Sequence, residues 1–228
     1  MAQQTFKGFT PQTFQFFHDL KENNYKEWFD EHRSVYESEV LNPLKMLFQA
    51  MTPAMSTIDP MFEMRAHRSI SRIYRDTRFS KDKTPYRDFM WMSFQQPVVR
   101  EEWKDHPGYF LDIHGDKYGL GLGLFQPKKK VMDNFRDAIL YEPEEFQENT
   151  QKYVLDRGYV VNGEEYKRPI PNDLPDYFQP WFHRKGIWVE KVRPIGKELY
   201  SPEFANQIIE DFKAMEWLYQ FMKEATEL

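Results

Sequence analysis

The chain has 228 residues, a net charge of −5 from 31 Lys and Arg against 36 Asp and Glu, and no cysteine. The missing thiols exclude disulfides, a cysteine nucleophile and any cysteine-ligated zinc or iron–sulfur site, and the acidic balance argues against a general nucleic-acid binder. The length suits one domain over residues 1–228, and with 20 Phe, 13 Tyr and 6 Trp against a mean hydropathy of −0.78 the expected core is built on rings.

The N-terminal stretch, Met1 to Phe9, lacks the basic and apolar regions of a leader. No apolar run approaches the roughly 18 residues of a membrane span. A cytoplasmic location without a membrane partner is therefore expected, and the oligomeric state stays open. Thr10-Pro11 reads as the cap and first residue of a helix, with Phe14, Phe17 and Leu20 at helical spacing. Asn23-Asn24 breaks it, and Asn24 is placed to cap a second helix running from Tyr25 towards Gln49. That helix buries Trp28, Phe29, Tyr36, Val40, Leu44 and Phe48, with Pro43 kinking it or ending it early. Residues 52–60, with Pro53 and Pro60, read as a loop. Arg68 to Tyr74 alternates like a strand entering a loop, while Arg65, Arg68, Arg72 and Arg75 also keep helical spacing, so strand and helix both stay open over Arg65–Arg75.

The middle third reads as strands: Phe89–Phe94, Gly108–Ile113 and Tyr118–Phe125, the last two joined by a turn at His114-Gly115-Asp116-Lys117. Helical pattern returns at Val131, Phe135 and Ile139, and again over Pro143–Leu155. Strands are expected at Glu164–Arg168 and Ile187–Val192. Pro202 opens a last helix that turns Phe204, Ile208, Phe212, Met215, Leu218 and Phe221 inward. This order predicts an α+β fold, a central, mainly antiparallel sheet flanked by N- and C-terminal helices.

Charge is unevenly spread. Between residues 65 and 87 stand Arg65, Arg68, Arg72, Arg75, Arg78, Lys81, Lys83 and Arg87, opposed only by Asp76 and Asp82. The window holds a surplus of six, which leaves −11 on the rest of the chain. Guanidinium forks suit phosphate and carboxylate, Lys adds point charge, and Ser80 and Thr84 add hydroxyls. The Asp82-Lys83-Thr84-Pro85 stretch is turn-rich. Phe79 and Tyr86 are expected to anchor the two ends of an ordered surface, with Pro85 stiffening its end. The structural alternative is an ion-pair network in which Asp76 orients Arg75 and Arg78 and the arginines bridge acidic helices.

The run Arg75-Asp-Thr-Arg-Phe-Ser-Lys-Asp-Lys-Thr-Pro-Tyr86 resembles the hallmark of a family of bacterial and fungal conserved hypothetical proteins, a domain of unknown function. Agreement extends to Asn23, Asn24, Trp28 and Phe29, to Gly108-Tyr109 and Gly119-x-Gly121, and to Arg168-Pro169 and Lys185. The resemblance implies one globular α+β domain, with no established activity and no catalytic residue to transfer.

The remaining motifs are weaker. Gly119-Leu-Gly-Leu-Gly-Leu124 lacks the spacing of a dinucleotide fingerprint and the Gly-Lys-Ser/Thr of a P-loop; on a strand its glycines form one bare face, against which a helix, a ring or a ligand packs. His18, His32, His67, His106, His114 and His183 form no metal-binding pair, so no metal and no cofactor are expected. Asp76 and Asp82 beside Lys81 and Lys83 have the composition of a metal-dependent nuclease centre but lack a further acid. Trp91, Trp103, Trp181, Phe182 and Trp188 suit core packing ahead of base stacking.

The leading functional reading is a site for a phosphate-bearing or carboxylate small molecule on Arg72, Arg75, Arg78, Ser80, Lys81, Lys83 and Arg87. Nucleic-acid binding by the same patch ranks second and a structural or interaction role third. Whether the protein is an enzyme stays open. A hollow with unpaired guanidinium groups favours the first, an extended basic groove the second, and fully paired arginines the third.

Overall fold

The computed structural model of the protein describes residues 5–97 and 100–227; residues 1–4, part of the N-terminal stretch, lie outside them. In chain order come helices α1 (Pro11–Glu22), α2 (Lys26–Val35), α3 (Asn42–Ile58) and the single turn α4 (Ala66–Ser69), then strands β1 (Phe89–Gln95), β2 (Gly108–His114) and β3 (Lys117–Leu124). Helices α5 (Lys129–Tyr141) and α6 (Pro143–Thr150) follow, then β4 (Val160–Asn162), α7 (Gln179–Phe182), β5 (Ile187–Pro194), α8 (Glu203–Ala214) and α9 (Glu216–Glu227). The fold is α+β. Its antiparallel sheet has the order β1-β2-β3-β5-β4, with helices at both ends of the chain. Val160 stands opposite Glu190 and Asn162 opposite Trp188. No helix among the described residues is long and apolar enough to cross a membrane.

The chain divides into two compact units. The first takes the chain through Phe94, then Phe110–Gly119 and Val192–Ile209; the second takes Gln95–Tyr109, Leu120–Lys191 and the chain from Glu210. In the first unit the rings form the core as composition predicts. Phe48 stacks on Phe94 with centroids 4.5 Å apart, Phe29 on Tyr86 at 4.2 Å, and Tyr118 meets Phe204 edge-on at 5.4 Å. In the second, Tyr109 packs on Phe212 and Tyr219, and Phe146 collects Phe135, Trp181 and Phe221. Arg136, itself buried, satisfies its guanidinium on the carbonyls of Phe182 and Arg184 at 2.8 and 2.6 Å.

Pro43 does not end the second helix. The helix passes through a π-helical turn, Tyr36–Leu41, in which the Asn42 N–H reaches back to the Glu37 carbonyl. Pro43 has no N–H for the carbonyl of Glu39, and the buried Thr13 hydroxyl donates to that oxygen instead, at 2.6 Å. Residues 52–58 are helix rather than loop. Met51, Met55 and Ile58 are buried at helical spacing, and that packing outweighs the bond lost at Pro53.

Other expectations are corrected as well. Asn24 does not cap α2, whose cap position is Tyr25; its amide makes two 3.0 Å bonds to the backbone of Tyr86. The strand expected at Glu164–Arg168 lies earlier, in β4. Gly163, at φ 141°, turns the chain out of the ladder, and a Cβ there would strike the Gly186 carbonyl. Beyond it only Glu165 and Arg184 form a bridge. The last helix is two, α8 and α9, divided at Met215 with no Gly or Pro to mark the break. At Gly123 the neighbouring strand takes up the space a side chain would need: a Cβ there would collide with Trp188 and the Ile187 carbonyl.

Candidate functional site

The ambiguous Arg65–Arg75 stretch holds both structures in turn: one helical turn, α4, then extended chain bridged at Ile70 to Met92 and at Tyr74 to Tyr86. Backbone bonds from Ser71 N–H to the Trp91 carbonyl, Arg87 N–H to the Ile73 carbonyl (2.8 Å each) and Arg75 N–H to the Pro85 carbonyl (2.9 Å) zip this chain against the segment entering β1. Residues 76–84 form the loop closed off by that neck. Tyr86 anchors the neck, buried against Phe29 and held by Asn24. Phe79 does not anchor it: the ring is 95% exposed. Polar bonds hold the loop in its place.

Those bonds are local. Asp76 accepts from the Arg78 backbone N–H at 3.2 Å and from its guanidinium at 2.9 and 2.6 Å. Asp82 accepts from Arg75 and from both the N–H and the hydroxyl of Thr84, the latter two at 2.9 Å. Arg75 also donates to the Thr84 hydroxyl. The Arg78 hydrogen bonds hold the Asp76 carboxyl at about 2, and the Arg75 bond, then those of Thr84, do the same for Asp82. Lys83 donates to the Thr77 carbonyl at 2.8 Å. Outside the loop, Glu63 takes Arg65 at 2.6 Å and Arg68 at 3.6 Å. Asp76 thus orients Arg78 and not Arg75, and among the described residues these ion pairs do not bridge acidic helices.

Four cations of the cluster, Arg72, Lys81, Lys83 and Arg87, have no carboxylate partner among the described residues, and of these Lys83 is taken by the Thr77 carbonyl. Arg87 is the unusual one. Its guanidinium lies half-buried over the Trp91 ring, 4.8 Å from the centroid, and its Nε is buried without a hydrogen-bond partner. Burial, and next the charge of Arg75, lower its pKa from the ordinary arginine value.

Two hollows meet at Arg75 and Arg87. The larger, about 680 Å³, is lined by Arg72, Tyr74, Arg75, Asp76, Thr77, Arg78, Arg87 and Trp91. The other, about 480 Å³, adds Lys21, Asn24, Asp82, Thr84, Tyr86, Asp88 and Phe89 to the same two arginines. Four of the seven residues singled out in the sequence, Arg72, Arg75, Arg78 and Arg87, therefore share one hollow. Ser80, Lys81 and Lys83 sit farther along the loop and line neither. Trp91 is the lining residue sequence reasoning assigned to the core. Its signal is the period of two that puts Arg87, Phe89 and Trp91 on one side of an extended chain, the half-buried side of β1.

Asp76 and Asp82 are held by different arginines and form no shared centre. Among the described residues no group of three His, Asp or Glu side chains is able to hold a metal ion. His183 accepts the Ile170 N–H at 3.1 Å, and His114 bonds Asp112 at 2.7 Å.

The fold and the hollow define an α+β protein with an arginine-lined pocket on a tightly clasped loop. The chain belongs to the conserved hypothetical protein family DUF2461, whose model matches residues 12–221. No curated protein matches it.

Proposed function

We propose that the larger hollow binds a small anionic ligand, phosphate-bearing or carboxylate, on Arg72, Arg75, Arg78 and Arg87, and that the Arg75–Tyr86 segment on which the family resemblance rests frames that site. The observation that carries the reading is Arg87. A half-buried guanidinium beside a second arginine, with no carboxylate and with one N–H unmet, costs free energy unless an anion completes it. Arg72, likewise without a carboxylate, faces the same space. Arg75 and Arg78 keep their aspartates yet leave a net positive lining, because only Asp76 among the lining residues is acidic.

The test is thermal unfolding in phosphate or sulfate against chloride at equal ionic strength. A specific anion binds the native state and raises the melting temperature with concentration. Equal melting temperatures in the three salts would remove the anion site and leave a structural loop.

A further inference from the structure

We infer that the ligand of this hollow is a nucleotide, with its phosphate on Arg72 and Arg87 and its base stacked on Phe79; the inference rests on the anion-site reading above. Phe79 is 95% exposed, although it stands on a loop held in shape by the Asp76–Arg78 pair, the Lys83–Thr77 bond and the Arg75–Asp82–Thr84 clasp. Its exposure is therefore built into an ordered loop. The ring sits at the rim of the hollow, because Arg78, a lining residue, places its guanidinium 5.8 Å from the Phe79 centroid. A π face offered to water beside a cationic pocket is the arrangement that takes a base and its phosphate together, whichever base it is.

The other rings at the hollow are less open: Arg87 lies closer over Trp91, 4.8 Å from its centroid, and the Tyr74 ring packs against Phe29 and Tyr86 with its hydroxyl receiving Arg33 at 3.3 Å. Volume agrees: about 680 Å³ far exceeds an inorganic phosphate and falls in the range of sites for larger organic ligands. An anionic lipid surface would also suit a tip bearing Phe79 and cations. However, Arg78 and Lys83 on that tip are bonded within the loop, which leaves Lys81 there, while two unneutralised cations, Arg72 and Arg87, lie together in the hollow.

The experiment is calorimetric titration of wild type, Phe79→Ala and Arg87→Met with inorganic phosphate, ribose 5-phosphate and AMP, beside sedimentation with phosphatidylserine vesicles. Wild type should bind AMP roughly tenfold more tightly than ribose 5-phosphate, the size of one base–aromatic stack. Phe79→Ala should abolish that preference and leave phosphate and ribose 5-phosphate unchanged. The variant should fold as wild type does, since the ring touches little. Arg87→Met should weaken all three ligands. Equal affinity for AMP and ribose 5-phosphate in wild type, or a preference that survives Phe79→Ala, overturns the nucleotide while the anion site stands. Vesicle binding lost in Phe79→Ala, without a preference for AMP, overturns it in favour of a membrane. Binding of none of the three ligands overturns both readings.

Discussion

Replacing Arg87 separates an anion site from a structural network, because a buried ion pair and an unpaired guanidinium respond oppositely to truncation. Methionine keeps an unbranched stem to lie on Trp91. What the change removes is the stacking of the charge on the indole, about 0.5–2 kcal/mol. What it relieves is an unmet buried N–H, about 1–3 kcal/mol, and repulsion from Arg75. No carboxylate is stranded, since none pairs with Arg87 among the described residues. The terms nearly cancel, so Arg87→Met should change unfolding free energy by about 1 kcal/mol or less in chloride. Wild type in phosphate at ten times the dissociation constant should gain about 1.4 kcal/mol, and the variant, which binds phosphate more weakly, should gain clearly less. Denaturant unfolding of both proteins in both salts reads all four values. A loss of about 3–5 kcal/mol in the variant, the cost of breaking a buried ion pair, with no phosphate effect on wild type, would refute the reasoning.

Arg78→Gln, by contrast, should leave stability unchanged in the same assay, because Arg78 and Asp76 are both mostly exposed and a solvated pair contributes little; a large loss would mean that Arg78 supports more than the loop surface. Asp82, lowered from 3.8 to about 2, favours the folded loop above about pH 4, and that contribution disappears as pH falls through 2. The Thr84 amide resonance, bonded to Asp82, should titrate with that midpoint and should lose its bonded shift in Asp82→Asn at neutral pH; a midpoint near 4 would show the clasp to be absent in solution. Phe29→Ala should cost about 3–5 kcal/mol, since Phe29 is fully buried and stacks on Tyr86. Trp28→Ala should cost less, because Trp28 is only half-buried, against Phe16 and His32; denaturation midpoints in the reverse order would overturn this placement.

Elements whose periodicity reflects a buried face are legible in the sequence. Alternation places β1, β2, β3 and β5, and helical spacing places α1, α5 and the buried faces of α2 and α3. Where the sequence misleads, the deciding partners are distant along the chain. Asn24 reads as a cap because a cap is local, yet it is taken by Tyr86, 62 residues on. Pro53 reads as a breaker, yet buried Met51, Met55 and Ile58 carry the helix past it. Phe79 reads as an anchor because apolar side chains usually are, and nothing in the string distinguishes it from Tyr86, the buried ring at the other end of the same loop.

The site follows the same division. A surplus of six charges is a fact of composition, whereas its location is a fact of geometry. Each aspartate of the window is near in sequence to the arginine it holds, Arg78 two residues from Asp76 and Arg75 seven from Asp82. Glu63, just outside the window, takes Arg65 and Arg68. Lys83 turns back onto the Thr77 carbonyl. These local bonds commit their charges to shaping the loop, and the cations they leave over are Arg72, Lys81 and Arg87. Extended chain on both sides of the neck then carries Arg72 and Arg87 to the same hollow, while Lys81 stays out along the loop. A chain with a net charge of −5 would gain by pairing those two arginines with any of its 36 acidic side chains. The neck instead brings both to one hollow, with Arg87 beside Arg75 and over Trp91, an arrangement that an anion in the hollow would complete.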